Sequence, residues 1–200
     1  MNDKPLHILV IDANRVRASI IEEGLRDGGH NDVVLVSDMR NLMRQVVEAD
    51  PDVIIMDLEN PNRDVLEHAL QVSRAARRPI AMFVDRTDAS ATEAAIDAGV
   101  SAYVVDGLRK ERVKPILDMA IKRFNVIERM RQEIEAAQTE LSERKQIERA
   151  KGILMRTRGL SEEEAYKLLR KTAMNQSRKI AQVAESLVLA ADLLEGDSSE

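Results

Sequence analysis

Pro51-Asp52-Val53-Ile54-Ile55-Met56-Asp57 decides the fold: a turn residue, an unbroken apolar run, then a carboxylate. A strand with one wet face alternates polar and apolar residues, so an unbroken run signals burial on both faces. The pattern recurs on either side of it. Leu6–Ile11 runs into Asp12, and Val33–Val36 follows the Gly28-Gly29 turn. Ile80–Val84 follows Pro79 and precedes Asp85, and Ala102–Val105 follows Gly99 and precedes Asp106. Between these runs lie segments of helical period: Arg15–Arg26, Met39–Glu48, Asp64–Ala76 and Ala89–Ala98. The alternation predicts an α/β fold, a doubly wound, flavodoxin-like parallel sheet of five strands with helices on both faces. In such folds chemistry sits at the carboxyl ends of the strands. Those ends carry Asp12, Asp57, Asp85 and Asp106.

Several functions are disfavoured at once. The chain has 200 residues, 44% hydrophobic, enough to build a core. It has no Cys, which removes disulfides, thiol catalysis and Cys-ligated zinc. It has no G-x-G-x-x-G, Walker loop or G-x-S-x-G, and His7, His30 and His68 lack ligand spacing. Neither an enzyme nor a cofactor is expected. The longest apolar runs, such as Leu187 to Ala191, fall far short of the ~20 residues that span a bilayer. Met1-Asn2-Asp3-Lys4-Pro5 leads straight into a strand, so no signal peptide and a cytoplasmic location are expected. Two Tyr, two Phe and no Trp argue against aromatic base-stacking platforms.

Charge is unevenly spread. Residues 144–179 hold eleven basic and four acidic side chains, +7 against −5 for the whole chain. A basic segment on an acidic body points to nucleic acid. Upstream of it, from Glu111 to Thr157, the only Gly is Gly152 and the only Pro is Pro115, in a first turn where it is tolerated. This predicts one long helix. Val113, Ala120, Ile127, Ile134 and Leu141 recur every seven residues, with Leu117 and Phe124 between them. Such a stripe predicts a coiled-coil seam and a homodimer over 113–141. Gly159 stops the helix and Ser161-Glu162-Glu163-Glu164 is a capping box for the next. Its inner face is Ala165, Leu168, Leu169, Thr172 and Ala173. Ser177 is placed to cap a third helix, with inner residues from Ile180 to Leu194. Three helical segments predict an all-α bundle over 142–195, followed by a tail, 196–200.

Ile8-Leu9-Val10-Ile11-Asp12, Pro51 to Asp57 and Ala98-Gly99-Val100-Ser101-Ala102-Tyr103-Val104-Val105 resemble the receiver domain of two-component response regulators, over residues 1–112. The resemblance makes Asp57 the phospho-acceptor position and Tyr103 the switch aromatic. It also exposes departures. Ala13 stands where receivers carry a second acid, Val84 where they carry Ser or Thr, and Asp106 where they carry Lys. Phosphoryl transfer depends on neutralising charge on the transferred group. A phosphate on Asp57 would face Asp106 without a compensating cation, at a cost of about 1–4 kcal/mol for like charges near 4 Å. A degenerate pseudo-receiver is the favoured expectation. The rival keeps Asp12 and Asp57 as a weakened Mg²⁺ site with residual phosphorylation.

Glu143 to Met155, Glu164 to Arg170 and Ala173-Met174 resemble the ANTAR domain of RNA-binding transcription antiterminators. The most specific element is Ala150-Lys151-Gly152-x-Leu154-Met155 followed by Glu164-Ala165. Receiver, coiled coil and ANTAR in this order resemble the AmiR/NasT group, and within it the NasT-type nitrate-assimilation antiterminators. That resemblance implies binding to paired hairpins in a leader RNA, so that no terminator forms, and repression by a nitrate- or nitrite-sensing NasS-like protein. RNA polymerase would be affected only indirectly. The expected RNA-facing residues are Lys145, Lys151, Gly152, Arg156, Arg158, Arg170, Lys171 and Lys179. The alternatives are a phosphorylation-activated response regulator with ANTAR output and a DNA-binding regulator built on a helix-turn-helix.

Overall fold

The computed structural model describes residues 5–38, 40–59 and 63–196. Met39, expected to start the second helical segment, the side chain of Leu194 and the tail from 197 lie outside the described residues. The chain divides into two compact units, one ending at residue 129 and one beginning at 130.

Among the described residues of the first unit, five strands and four helices alternate. They are β1 (Ile8–Asp12), α1 (Arg15–Asp27), β2 (Val33–Val36), α2 (Leu42–Ala49), β3 (Val53–Leu58), α3 (Arg63–Ala76), β4 (Ile80–Val84), α4 (Ala89–Asp97) and β5 (Ala102–Val105). The sheet is parallel throughout, in the order β2-β1-β3-β4-β5. Its central strands β1, β3 and β4 are buried along their whole length, which accounts for their unbroken apolar sequences. Side chains alternate between two cores. Leu9, Ile11, Ile54, Met56 and Met82 share one face with residues of α2, α3 and α4. Ile8, Val10, Ile55 and Phe83 share the other with Ile21 and Leu25 of α1.

The helix that follows, α5 (Lys110–Arg158), belongs to both units. Its first turns close the sheet's second face. Val113, Leu117 and Ala120 are buried in the same core as Ile21 and Phe83. This corrects the expectation that they form a dimer seam: the receiver sheet consumes them. The close fit explains Gly24. A Cβ there would lie 2.7 Å from the carbonyl oxygen of Lys110 and 2.9 Å from the Cβ of Val113. Phe124 is half-buried, and from there on the stripe is open: Ile127, Met130, Ile134 and Leu141 are all more than half exposed.

The second unit holds the remainder of α5, α6 (Glu162–Asn175) and α7 (Ile180–Gly196). Ala150, Ile153 and Leu154 pack with Ala165, Leu169, Ala173, Val183, Ala184 and Val188. Gly159 takes φ +64°, a left-handed stop that glycine adopts without strain. Ser161 and Glu164 form the complete capping box: Ser161 N–H donates to Glu164 Oε2 at 2.9 Å, and Glu164 N–H to Ser161 Oγ at 3.3 Å. Ser177 does not cap α7. It sits in the turn at φ +49°, and Gln182 instead reaches back to accept from Lys179 N–H at 3.2 Å.

Candidate nucleic-acid interface and strand-end crevice

Parallel pairing places Asp12 directly beside Asp57 at the strand ends. Both are buried, at 4% and 3% exposure. The structure adds a cation that sequence reading missed. Arg17, in the first turn of α1, donates from Nε to Asp57 Oδ2 at 2.6 Å and from Nη2 to Asp57 Oδ1 at 2.8 Å. Its Nη1 lies 2.8 Å from Asp85 Oδ1. Asn14 caps the helix that carries it, accepting from Val16 N–H at 3.0 Å and Arg17 N–H at 3.4 Å. Asn14 N–H in turn donates to Asp12 Oδ1 at 2.7 Å.

The crevice is therefore not short of positive charge, which corrects the expected uncompensated site. Asp106 is exposed at φ +47°, and the acid that shares a cation with Asp57 is Asp85. Val84 is buried in the core and supplies no hydroxyl. Tyr103 is half-buried, its hydroxyl 2.9 Å from Thr87 Oγ1. Burial pushes the Asp57 carboxyl upward, and the two short bonds from the Arg17 guanidinium oppose that shift. Asp12 is pushed up to about 6, first by burial, against the Asn14 N–H and with the Asp57 charge adding to it. Its Oδ2 is buried with no hydrogen-bond partner among the described residues.

The residues do not fit the Mg²⁺ that receivers hold here. That ion takes near-octahedral oxygen ligands. One acid position is Ala13, both Asp57 oxygens are engaged by Arg17, and one Asp12 oxygen is engaged by Asn14. Among the described residues no three His, Asp or Glu are grouped to hold a metal.

In the second unit the expected basic residues separate into two sets. Lys151 is buried at 7% exposure, its Nζ 2.8 Å from Glu148 and 2.7 Å from Glu162. The hydrogen bonds it donates to Glu148 and then Glu162 raise its pKa, and Lys151 lowers that of Glu162. This corrects its expected place on the RNA surface: it ties α5 to the first turn of α6. Lys179 lies 3.4 Å from Glu143. Lys145, Arg156, Arg158, Arg170 and Lys171 are exposed and form no ion pair among the described residues.

Apolar side chains flank one of these cations, Arg170. Tyr166, Arg170 and Met174 follow one another at four-residue spacing on the exposed side of α6, with Tyr166 42% and Met174 71% exposed. Among the described residues and beyond its own helix backbone, a Cβ on Gly152 would meet only Arg156 Nη1, at 3.8 Å. Contact with another helix of this chain does not explain that glycine.

Two family models match. The response regulator receiver domain covers residues 8–118 and the ANTAR domain covers residues 135–188. The transcriptional regulatory protein PdtaR of Mycobacterium tuberculosis is 28% identical over 181 residues, 90% of this chain and 88% of that one. A nitrate regulatory protein of Klebsiella oxytoca is 31% identical over only 75 residues, 38% of this chain and 19% of its own. Among solved structures, the chemotaxis response regulator CheY4 of Vibrio cholerae superposes with a TM-score of 0.50 at 21% identity, covering 58% of this chain and 99% of that one. The signal receiver domain of a modulated diguanylate cyclase from Desulfovibrio desulfuricans gives 0.53 at 16% identity, covering 62% and 98%. Both superpositions speak to the fold alone. The chain belongs to the receiver-domain response regulators and carries an ANTAR domain after the receiver.

Proposed function

We propose that this protein binds paired hairpins in a leader mRNA through its ANTAR unit and thereby prevents transcription termination. The observation that carries the reading is the set of free cations Lys145, Arg156, Arg158, Arg170 and Lys171, beside an exposed Tyr166 and an unfilled Gly152. Phosphate contacts supply most of the affinity of such interfaces. Loop bases are read by stacking on aromatic and guanidinium planes, which Tyr166, Arg156 and Arg170 can offer. The protein works as a homodimer through the exposed seam of α5, which presents one ANTAR unit to each hairpin. It acts as a binding protein in the cytoplasm and not as an enzyme. The intended genes are those of nitrate and nitrite assimilation. The signal enters through a NasS-like nitrate-sensing partner that holds the RNA-incompetent state until its ligand arrives. The local likeness to the nitrate regulatory protein and the occupied Asp57 support this over activation by phosphate.

Gel shifts with a two-hairpin leader RNA, a single hairpin and a duplex DNA of equal length test the reading. The two-hairpin RNA is expected to shift at the lowest protein concentration. Preference for the duplex would favour a DNA-binding regulator.

A further inference from the structure

Arg17 is tied to its surroundings more completely than a surface helix residue needs to be. Its side chain is 17% exposed and that of Asp57 is fully buried. The guanidinium meets Asp57 as a two-pronged fork, a geometry that lysine cannot reproduce. Its third nitrogen reaches Asp85 just past the end of β4. One side chain thus cross-links the start of α1, the end of β3 and the end of β4. Asp12 joins the same set through Asn14.

We propose that Arg17 is the resident counter-ion of this crevice, a covalently attached replacement for a divalent cation that closes Asp57 to Mg²⁺ and to phosphoryl donors alike. The inference rests on, and deepens, the phosphate-independent control proposed above. A metal ion could reach Asp57 only by displacing Arg17, which would leave both ion pairs broken. A phosphoryl donor would find both carboxylate oxygens engaged. Its product would add negative charge to a crevice in which Asp57 and Asp85 already share one cation and Asp12 lies beside them.

Full-length protein, with Mn²⁺ as the paramagnetic probe and melting temperature as the second readout, tests this without RNA. Wild type is expected to show no saturable Mn²⁺ binding and no change in melting temperature with millimolar Mg²⁺. Arg17→Met is expected to melt lower at neutral pH, to regain the loss on adding Mg²⁺, and to bind Mn²⁺ in a manner abolished by a second change, Asp57→Asn. If Arg17→Met does not fold, Arg17→Lys keeps a charge without the fork and is expected to admit Mn²⁺ weakly. Saturable Mn²⁺ binding to wild type, lost in Asp57→Asn, would overturn the proposal. So would an Arg17 variant as stable and as metal-silent as wild type. Either result would leave the RNA-binding reading standing, since that is decided by gel shifts alone.

Discussion

Asp12 keeps one carboxylate oxygen buried without a partner, and its pKa near 6 lies above the ordinary 3.8. The folded state therefore holds this proton more tightly than the unfolded chain does. The resulting stability is fully present below about pH 4 and is lost as the pH rises through about 6. The difference is on the order of 3 kcal/mol. Asp12→Asn, which cannot ionise, is expected to melt above wild type at neutral pH, with the gap closing towards pH 4; a gap independent of pH would contradict this. Gly152→Ala adds a methyl whose nearest contact outside the local helix backbone is Arg156 Nη1, 3.8 Å away. It should stabilise the helix by about 1 kcal/mol and weaken RNA binding. Unchanged RNA affinity would place Gly152 outside the interface. Lys151→Met should lower the melting temperature of the ANTAR unit and leave the salt dependence of RNA binding unaltered, because its charge is already spent on Glu148 and Glu162. Neither the Arg17 bridge nor the Lys151 tie was legible in the sequence. Each joins residues from different elements, and each cation occupies a helical position that reads as solvated surface.

The elements themselves were largely legible. The three central strands are buried on both faces, so their sequences are continuous apolar runs, and glycine, proline and aspartate mark their ends. The capping box and Gly159 fixed the boundary between α5 and α6 for equally local reasons. The misreading of α5 has a physical cause: one helix carries two apolar stripes in succession with compatible spacing. Val113, Leu117 and Ala120 face the sheet, whereas Ile127, Met130, Ile134 and Leu141 are exposed. A seven-residue repeat does not reveal where one partner ends and the next begins. The two stripes should respond differently to mutation. Leu117→Ala is expected to destabilise the receiver by about 2–5 kcal/mol. Ile127→Asp with Ile134→Asp should leave the receiver's melting temperature in place and yield a monomer by light scattering. A double variant that remains dimeric would move the interface elsewhere.

On the function proposed above, a receiver fold whose Asp57 is ion-paired to Arg17, joined to a unit rich in free cations, separates control from phosphate chemistry. Asp57→Ala is accordingly expected to retain RNA binding, and incubation with acetyl phosphate and Mg²⁺ should label little protein. A sensor partner that holds the inactive state must prefer it by several kcal/mol, and its ligand must remove that preference. The partner should co-purify from nitrate-starved cells and dissociate when nitrate or nitrite is added. The central claim is RNA recognition by these exposed cations, and filter binding of a two-hairpin leader RNA between about 50 and 200 mM salt tests it most directly. Wild type should lose affinity steeply with salt. Changing Lys145, Arg156, Arg158, Arg170 and Lys171 together to Ala should weaken binding and flatten the slope by about 0.7–0.9 for each phosphate contact removed. A five-fold variant with the wild-type slope and affinity would contradict the account.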